Sequence, residues 1–122
     1  MRVLDSETMF SLLEKLNTLD AVIVEGTSDK KSLLSFDVTI PIIVLKRMSL
    51  FKIVESLSRG SHIAILTDLD SEGKKLYSQL NHEFSQRGIH IDNSLREFLF
   101  KNTTLRQIEG MKRYVERRIF RV

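Results

Sequence analysis

Three carboxylates, Glu25, Asp68 and Asp70, sit where this sequence is best placed to do chemistry. Glu25 follows the apolar run Ala21-Val22-Ile23-Val24 and precedes Gly26. Asp68 and Asp70 follow Ile63-Ala64-Ile65-Leu66-Thr67 and lead into Ser71-Glu72-Gly73. Short runs that are apolar throughout and rich in β-branched residues read as strands buried on both faces of a parallel sheet. Open sheets of that kind collect their functional groups beyond the carboxyl ends of the strands. If the two strands are neighbours, the three carboxylates converge there. With no cysteine in the chain, the set offers only hard oxygen ligands, which suits Mg²⁺ or Mn²⁺ and phosphate chemistry.

The residue types divide the work. Beside two aspartates, the charged form of Glu25 is disfavoured by like-charge repulsion unless a cation offsets it, which suits a general acid or base. The plainer alternative is a solvated loop carboxylate. Asp68 and Asp70 project the same way from an extended segment, with Leu69 turned away, so both could share one divalent ion. Capping competes at Asp70, a good helix N-cap, with Glu72 complementing the first-turn dipole; it leaves Asp68 unexplained. Glu72 is otherwise an outer or third acidic ligand, and Thr67 is placed to orient Asp68 through its hydroxyl. Gly26 lets backbone or phosphate come close, and Gly73 lets a helix start pack tightly against the sheet or a phosphate. Lys30, Lys31 and Lys74 lie near the same edge, where each could pair with substrate phosphate or simply neutralise the carboxylates.

The two motifs, Val24-Glu25-Gly26 with Asp29 and Thr67-Asp68-Leu69-Asp70-Ser71-Glu72-Gly73, occur in this order and each directly after an apolar strand. Together they resemble the Toprim domain of bacterial-type primases, topoisomerases, certain nucleases and recombination-repair proteins. The resemblance covers roughly residues 21 to 92 and in size is nearest to the small stand-alone Toprim proteins related to a ribosomal RNA maturase. It implies a Rossmann-like α/β domain, Mg²⁺ or Mn²⁺ held by Asp68, Asp70 and Glu25, and phosphoryl transfer on nucleic acid, either RNA or DNA. It also implies that Glu25 passes a proton to or from a sugar hydroxyl, or helps hold metal. Asp29 matches an acidic position common after the family's glutamate, as a ligand or a residue behind one; a first-turn helix acid explains it equally well. Asp92 matches an aspartate that lies near the metal edge of the small archaeal proteins. Leu69 departs from the maturase pattern, which often has proline there, and the maturase's longer C-terminal recognition sequence has no counterpart in residues 96 to 122.

The elements that must position these groups follow from periodicity. An amphipathic helix is expected over 7 to 18, with Ser6 as N-cap and Met9, Leu12, Leu13, Leu16 and Leu19 inward. A strand over 21 to 24, a helix from Ser28 through Phe36, a strand over 42 to 45 and a helix from Ser49 to Arg59 come next. Then follow a strand over 62 to 66, a helix from about Glu72 to before Gly88, a strand over 89 to 91, and helices over 94 to 101 and 104 to 119. The expected architecture is α/β: one domain over residues 1 to 122, with a central, mostly parallel four-stranded sheet flanked by helices. Leu105, Ile108, Met111 or Lys112, Val115 and Ile119 should face the core from the last helix, where residues 94 to 120 form a basic segment.

Charge is uneven along the chain. Residues 1 to 95 carry 11 basic and 13 acidic side chains, whereas residues 96 to 122 carry 8 basic and 3 acidic. Arg106, Arg113 and Arg117, with Arg121 beyond, share a face of the last helix that could track a nucleic-acid backbone; a solvated face laced with ion pairs gives the same pattern. His62, His82 and His90 lack metal-ligand spacing. Tyr77 and Tyr114 lack the separate domain that presents a topoisomerase nucleophile, and no zinc module or phosphate-binding loop of an ATPase is present. No apolar run approaches the ~20 residues of a membrane span, and the acidic amino terminus does not read as a signal peptide, so a soluble cytoplasmic protein is expected. Two functions survive: a Mg²⁺-dependent, nuclease-like module of RNA processing, or a non-catalytic, metal-dependent nucleic-acid-binding module within a larger complex. Either would draw on a protein partner for substrate recognition.

Overall fold

In the computed structural model, which describes residues 3–119 and the side chains of residues 6–117, the expected sheet is present. Strand β1 (Ala21–Val24) has all four residues buried and lies between β2 (Ile42–Val44) and β3 (His62–Leu66). The short strand β4 (His90–Ile91) completes the order β2-β1-β3-β4, and every pairing is parallel. Parallel neighbours need crossovers, and helices supply them: α2 (Thr27–Leu34), α3 (Leu50–Ser56) and α4 (Ser71–Gln86). Helix α1 (Val3–Leu16) precedes β1, and α5 (Ser94–Asn102) and α6 (Met111–Ile119) follow β4.

Because strand side chains alternate, the sheet buries two separate apolar clusters. Val22, Val24, Ala64 and Leu66 face one side, packed against Met9 and Leu13 of α1, Leu33 of α2, Leu99 of α5 and Val115 of α6. Ala21, Ile23, Ile63 and Ile65 face the other, against Ile53 of α3 and Leu80 and Phe84 of α4. The second carboxylate loop therefore leaves a strand covered on both sides, which leaves it little freedom to move. No helix among the described residues is long and apolar enough to cross a membrane.

Several boundaries differ from expectation. Helix α1 begins at Val3, so Ser6 is a buried residue within it rather than its cap. Helix α2 begins at Thr27, with Gly26 rather than Ser28 at the N-cap, because Asp29 reaches back to the Gly26 amide (2.9 Å). It ends at Leu34, and the chain turns through Asp37 at positive φ (61°). Ser49 does cap α3, accepting from the Lys52 amide, but that helix stops at Ser56. The largest difference is in the last segment, where Thr104–Gln107 is not helical. A short 3₁₀ turn over Ile108–Gly110 precedes α6. Leu105, Ile108, Met111 and Val115 are nevertheless buried, as the spacing predicts, and Lys112 is exposed. The side chain of Ile119 and the whole of Arg121 lie outside the described residues.

Candidate functional site

Pairing of Val24 with Leu66 puts Glu25 beside Thr67 at the carboxyl edge of the sheet. One step further, the Asp68 amide donates to Glu25 Oε2 at 2.6 Å. The two expected site residues are thus locked together across two strands. Burial raises the Glu25 pKa above the usual carboxylate range, opposed by the Asp68 amide and reinforced by the charges of Asp68, Asp29 and Asp70. Asp29 is buried and its pKa is also raised, first by desolvation.

Asp68 and Asp70 occupy alternate positions, as expected, with Leu69 between them buried in the core. Their side chains have different jobs. Asp70 Oδ1 accepts from the Gly73 amide (2.8 Å) as the N-cap of α4. Asp68 Oδ1 instead accepts from the Ile108 amide at 2.9 Å, and the Leu69 amide donates to the Arg106 carbonyl at 2.7 Å. The non-helical stretch before α6 is therefore a strap laid over the carboxylate loop. Asp29 faces the same stretch, whose Glu109 backbone opposes the rise in its pKa while the Glu109 charge reinforces it. These tertiary bonds from backbone amides displace the helix that local periodicity favours at 104 to 110.

Gly73 is required by contact. A Cβ there would lie 1.9 Å from the Asp68 carbonyl oxygen, inside any tolerable separation. Thr67, fully buried, donates its hydroxyl to the Gly73 carbonyl (2.7 Å) rather than orienting the Asp68 carboxylate, which corrects the role expected for it. Arg96, which sequence reasoning passed over, holds the loop from behind. Its buried guanidinium donates to the carbonyls of Thr67 and Asp68 and lies 4.5 Å from the centre of the Tyr77 ring. Lys46 was also missed; its side chain passes beside Gly26, where an added Cβ would come within 3.9 Å of Nζ.

The remaining expected residues divide by location. Arg106 is not on the last helix as expected but in the non-helical strap before it, its guanidinium donating to the Thr103 and Leu105 carbonyls; with Arg113 and Arg117 of α6 it still lines one cavity of about 620 Å³, together with Asp70 and Tyr114. Lys74 lies over the Phe100 ring, 4.4 Å from its centre. Glu72 is exposed in the first turn of α4. Lys30 is partly buried on α2, and Lys31 is exposed there. Asp92 is engaged elsewhere: it accepts from the Ser94 amide at the start of α5 and pairs with Lys15 of α1 at 3.4 Å. Those bonds outweigh its desolvation and hold its carboxyl below the usual range. At the opposite edge, His62 and His90 stack at 4.6 Å, in keeping with a structural role. Among the described residues, no three His, Cys, Asp or Glu side chains stand together closely enough to enclose a metal ion. Glu25, Asp68 and Asp29 form an electrostatically coupled acidic edge, and Asp70 faces the arginine cavity.

No protein-family model matches the chain. A UPF0292 protein of Methanocaldococcus jannaschii is 32% identical over 103 residues, covering 81% of this chain and 80% of its own length. The chain belongs to the UPF0292 family. A second UPF0292 protein, from Pyrococcus abyssi, is 33% identical over 103 residues, covering 84% of this chain and 77% of its own. A more distant member, from Thermoplasma volcanium, is 27% identical over 113 residues and spans 95% of its own length. The fold also matches a solved structure of a protein from Aquifex aeolicus, with a TM-score of 0.76 and 27% identity over 85% of this chain and 95% of that one. The UPF0292 chain and these relatives thus correspond over most of their lengths.

Proposed function

We propose that this protein is a Toprim-type, Mg²⁺-assisted phosphoryl-transfer module that acts on nucleic acid, a nuclease-like enzyme of RNA processing. The observation that carries the reading is the Glu25–Asp68 contact across β1 and β3 (2.6 Å), in a loop whose next carboxylate, Asp70, lines a cavity with Arg106, Arg113 and Arg117, while Glu25 itself opens beside Lys46. Substrate phosphates would lie along the arginines, with Lys74 and the Gly26 backbone beside them. Glu25, whose ionised form is disfavoured by burial and neighbouring charge, would hold and move the proton at the reacting oxygen.

The donors suit Mg²⁺ or Mn²⁺ by chemistry, being all oxygen and all of one sign. Mg²⁺ keeps several waters and takes one or two carboxylates plus substrate phosphate rather than a closed protein cage, so a three-carboxylate enclosure is not required. Asp68 and Glu25 would hold it, with Asp70 on the substrate side. Once bound, the ion would supply charge stabilisation at the phosphate. Asp29 and Glu72 would act behind these residues, and Thr67 only by holding the loop through its bond to Gly73. The engagement of Asp92 with Lys15 and Ser94 removes it from this set.

One observation favours a second reading, a non-catalytic, metal-dependent nucleic-acid-binding module within a larger complex. Glu25, Asp29, Asp68 and Asp70 each spend one oxygen on a backbone amide. That leaves each with less coordination capacity than a free carboxylate. Either activity fits a cytoplasmic setting, supported by the lack of cysteine, and a protein partner that supplies substrate recognition.

The deciding experiment incubates the purified protein with labelled structured RNA, single-stranded DNA and duplex DNA in Mg²⁺, Mn²⁺ or EDTA. Metal-dependent cleavage that falls by ~10²-fold or more in Glu25→Gln, with affinity retained, is expected. Replacing Arg113 and Arg117 with alanine should weaken binding and flatten its salt dependence by up to ~2 units of slope. Metal-dependent binding without cleavage would select the second reading; no binding to any nucleic acid would reject both.

A further inference from the structure

A second cavity, of about 360 Å³, opens on the other side of the carboxylate loop: Leu69 lines it, whereas Asp70 lines the arginine cavity. Its volume is at the small end of the range for ligand sites, about 300–1,000 Å³, enough for one flat heterocycle and too little for a helix or a duplex. Two aromatic rings, Tyr77 and Phe100, contribute to its wall, with Lys74, Arg96 and Asn93.

Phe100 is the unusual member. Leu95 and Leu99 of the same helix are buried, but Phe100 is 43% exposed. A scattered exposed apolar side chain needs no special account. Here, however, two cations attend the ring: Lys74 Nζ is 4.4 Å and the Arg106 guanidinium 5.1 Å from its centre. Arg106 also lines the phosphate-facing cavity. An exposed ring flanked by cations that reach a backbone is the combination by which single-stranded nucleic acids are held, the bases stacking and the phosphates pairing. Asn93 and Ser78, which also line the cavity, offer polar groups to the edge of a base.

We propose that this cavity is a nucleobase subsite, in which one unpaired base of a single-stranded RNA or DNA stacks on Phe100 while the adjoining phosphate lies against Arg106 beside Asp70. The inference rests on the nucleic-acid reading above and narrows its substrate to unpaired nucleotides, because a base in a duplex is already stacked and paired. Tyr77 is less available as a platform: it is only partly exposed, its hydroxyl donates to Asn93, and the Arg96 over it is pinned by the carbonyls of Thr67 and Asp68, whereas on Phe100 the base would take the place of the exposed Lys74 ammonium over the ring.

The test uses oligonucleotides carrying 2-aminopurine, a fluorescent base quenched by stacking, as single strands and as duplexes in both RNA and DNA. Wild-type protein should quench the single strands of both sugars, since the base is what the ring recognises. Phe100→Ala and Phe100→Leu should abolish the quenching and weaken single-strand binding roughly 5- to 140-fold. Phe100→Trp should retain both, and duplex affinity should be the same in all four proteins. The leucine variant keeps apolar bulk without a ring, and matched melting temperatures exclude misfolding. If wild type binds nucleic acid but Phe100→Ala leaves single-strand affinity within twofold, the subsite is rejected and the functional reading stands. If wild type binds no nucleic acid at all, that reading fails and takes the subsite with it.

Discussion

Gly73→Ala isolates the contact that ties α4 to the carboxylate loop. The new methyl carbon would stand 1.9 Å from the Asp68 carbonyl oxygen and 2.4 Å from its carbon, where real Cβ contacts do not fall below 3.0 Å. The obstacle is backbone, so either the loop or the first turn of the helix must move by more than an ångström. Two bonds converge on Gly73: the Asp70 cap at 2.8 Å and the buried Thr67 hydroxyl at 2.7 Å. Losing the cap costs about 1 kcal/mol, and stranding the Thr67 hydroxyl about 1–3 kcal/mol. Alanine's better helix propensity returns about 1 kcal/mol, leaving a net loss of roughly 1–3 kcal/mol from the bonds alone. Strain adds to this, so the melting temperature should fall by roughly 5–15 °C in a domain of this size. Thermal denaturation followed by circular dichroism measures it. Gly110→Ala serves as the control, since its added carbon would meet only Leu105 Cδ1 at an ordinary 3.6 Å. A Gly73→Ala protein melting within 2 °C of wild type would refute the argument that this glycine is fixed by contact.

Three further outcomes are expected. Because the folded state raises the Glu25 pKa, it binds that proton more tightly than the unfolded chain does, so ionisation costs stability as pH rises from about 4 through the raised value. Glu25→Gln in EDTA should therefore melt higher than wild type at pH 7, with the gap closing near pH 4; a variant that loses stability relative to wild type as pH rises would contradict this. Asp68→Ala removes the acceptor of the Ile108 amide, so hydrogen exchange at Ile108 should accelerate while exchange in β1 does not; unchanged protection at Ile108 would mean that something else holds the strap. Arg96→Lys cannot span the carbonyls of both Thr67 and Asp68 and should cost about 1.5–3 kcal/mol by urea denaturation, whereas a loss below 0.5 kcal/mol would show that one bond suffices.

The sheet was legible because its strands are short apolar runs with turn residues on either side, and β1 and β3 appear at their expected residues. The pairing of Glu25 with Asp68 followed from that pattern, since two parallel strands in register must end side by side. The strap was not legible. Its bonds to Asp68 and Leu69 come from backbone groups, which every residue carries, so no side-chain signature marks Arg106 or Ile108 as partners of the loop. Arg96 escaped notice for a related reason: its bonds are to carbonyls, and nothing in the sequence near α5 announces which carbonyls those are. Thr67 was assigned to the wrong neighbour because the fold of the loop decides whether its hydroxyl meets Asp68 or Gly73. Phe100 looked like one more apolar residue in a helix; only its exposure and its two cations set it apart.

The strap also bears on the order in which the molecule can be made. The bond from Ile108 to Asp68 joins residues 40 positions apart, and the carboxylate it restrains belongs to a loop whose strands precede it in synthesis. Synthesis runs from the amino terminus, so β1, β3 and α4 exist before the strap does. Until residues 104 to 110 dock, Asp68 lacks its amide partner, Leu69 lacks the Arg106 carbonyl, and the arginine cavity has no wall. The acidic edge thus takes its final form only once that segment is in place, and a chain with a complete sheet but no docked strap is still an unfinished site.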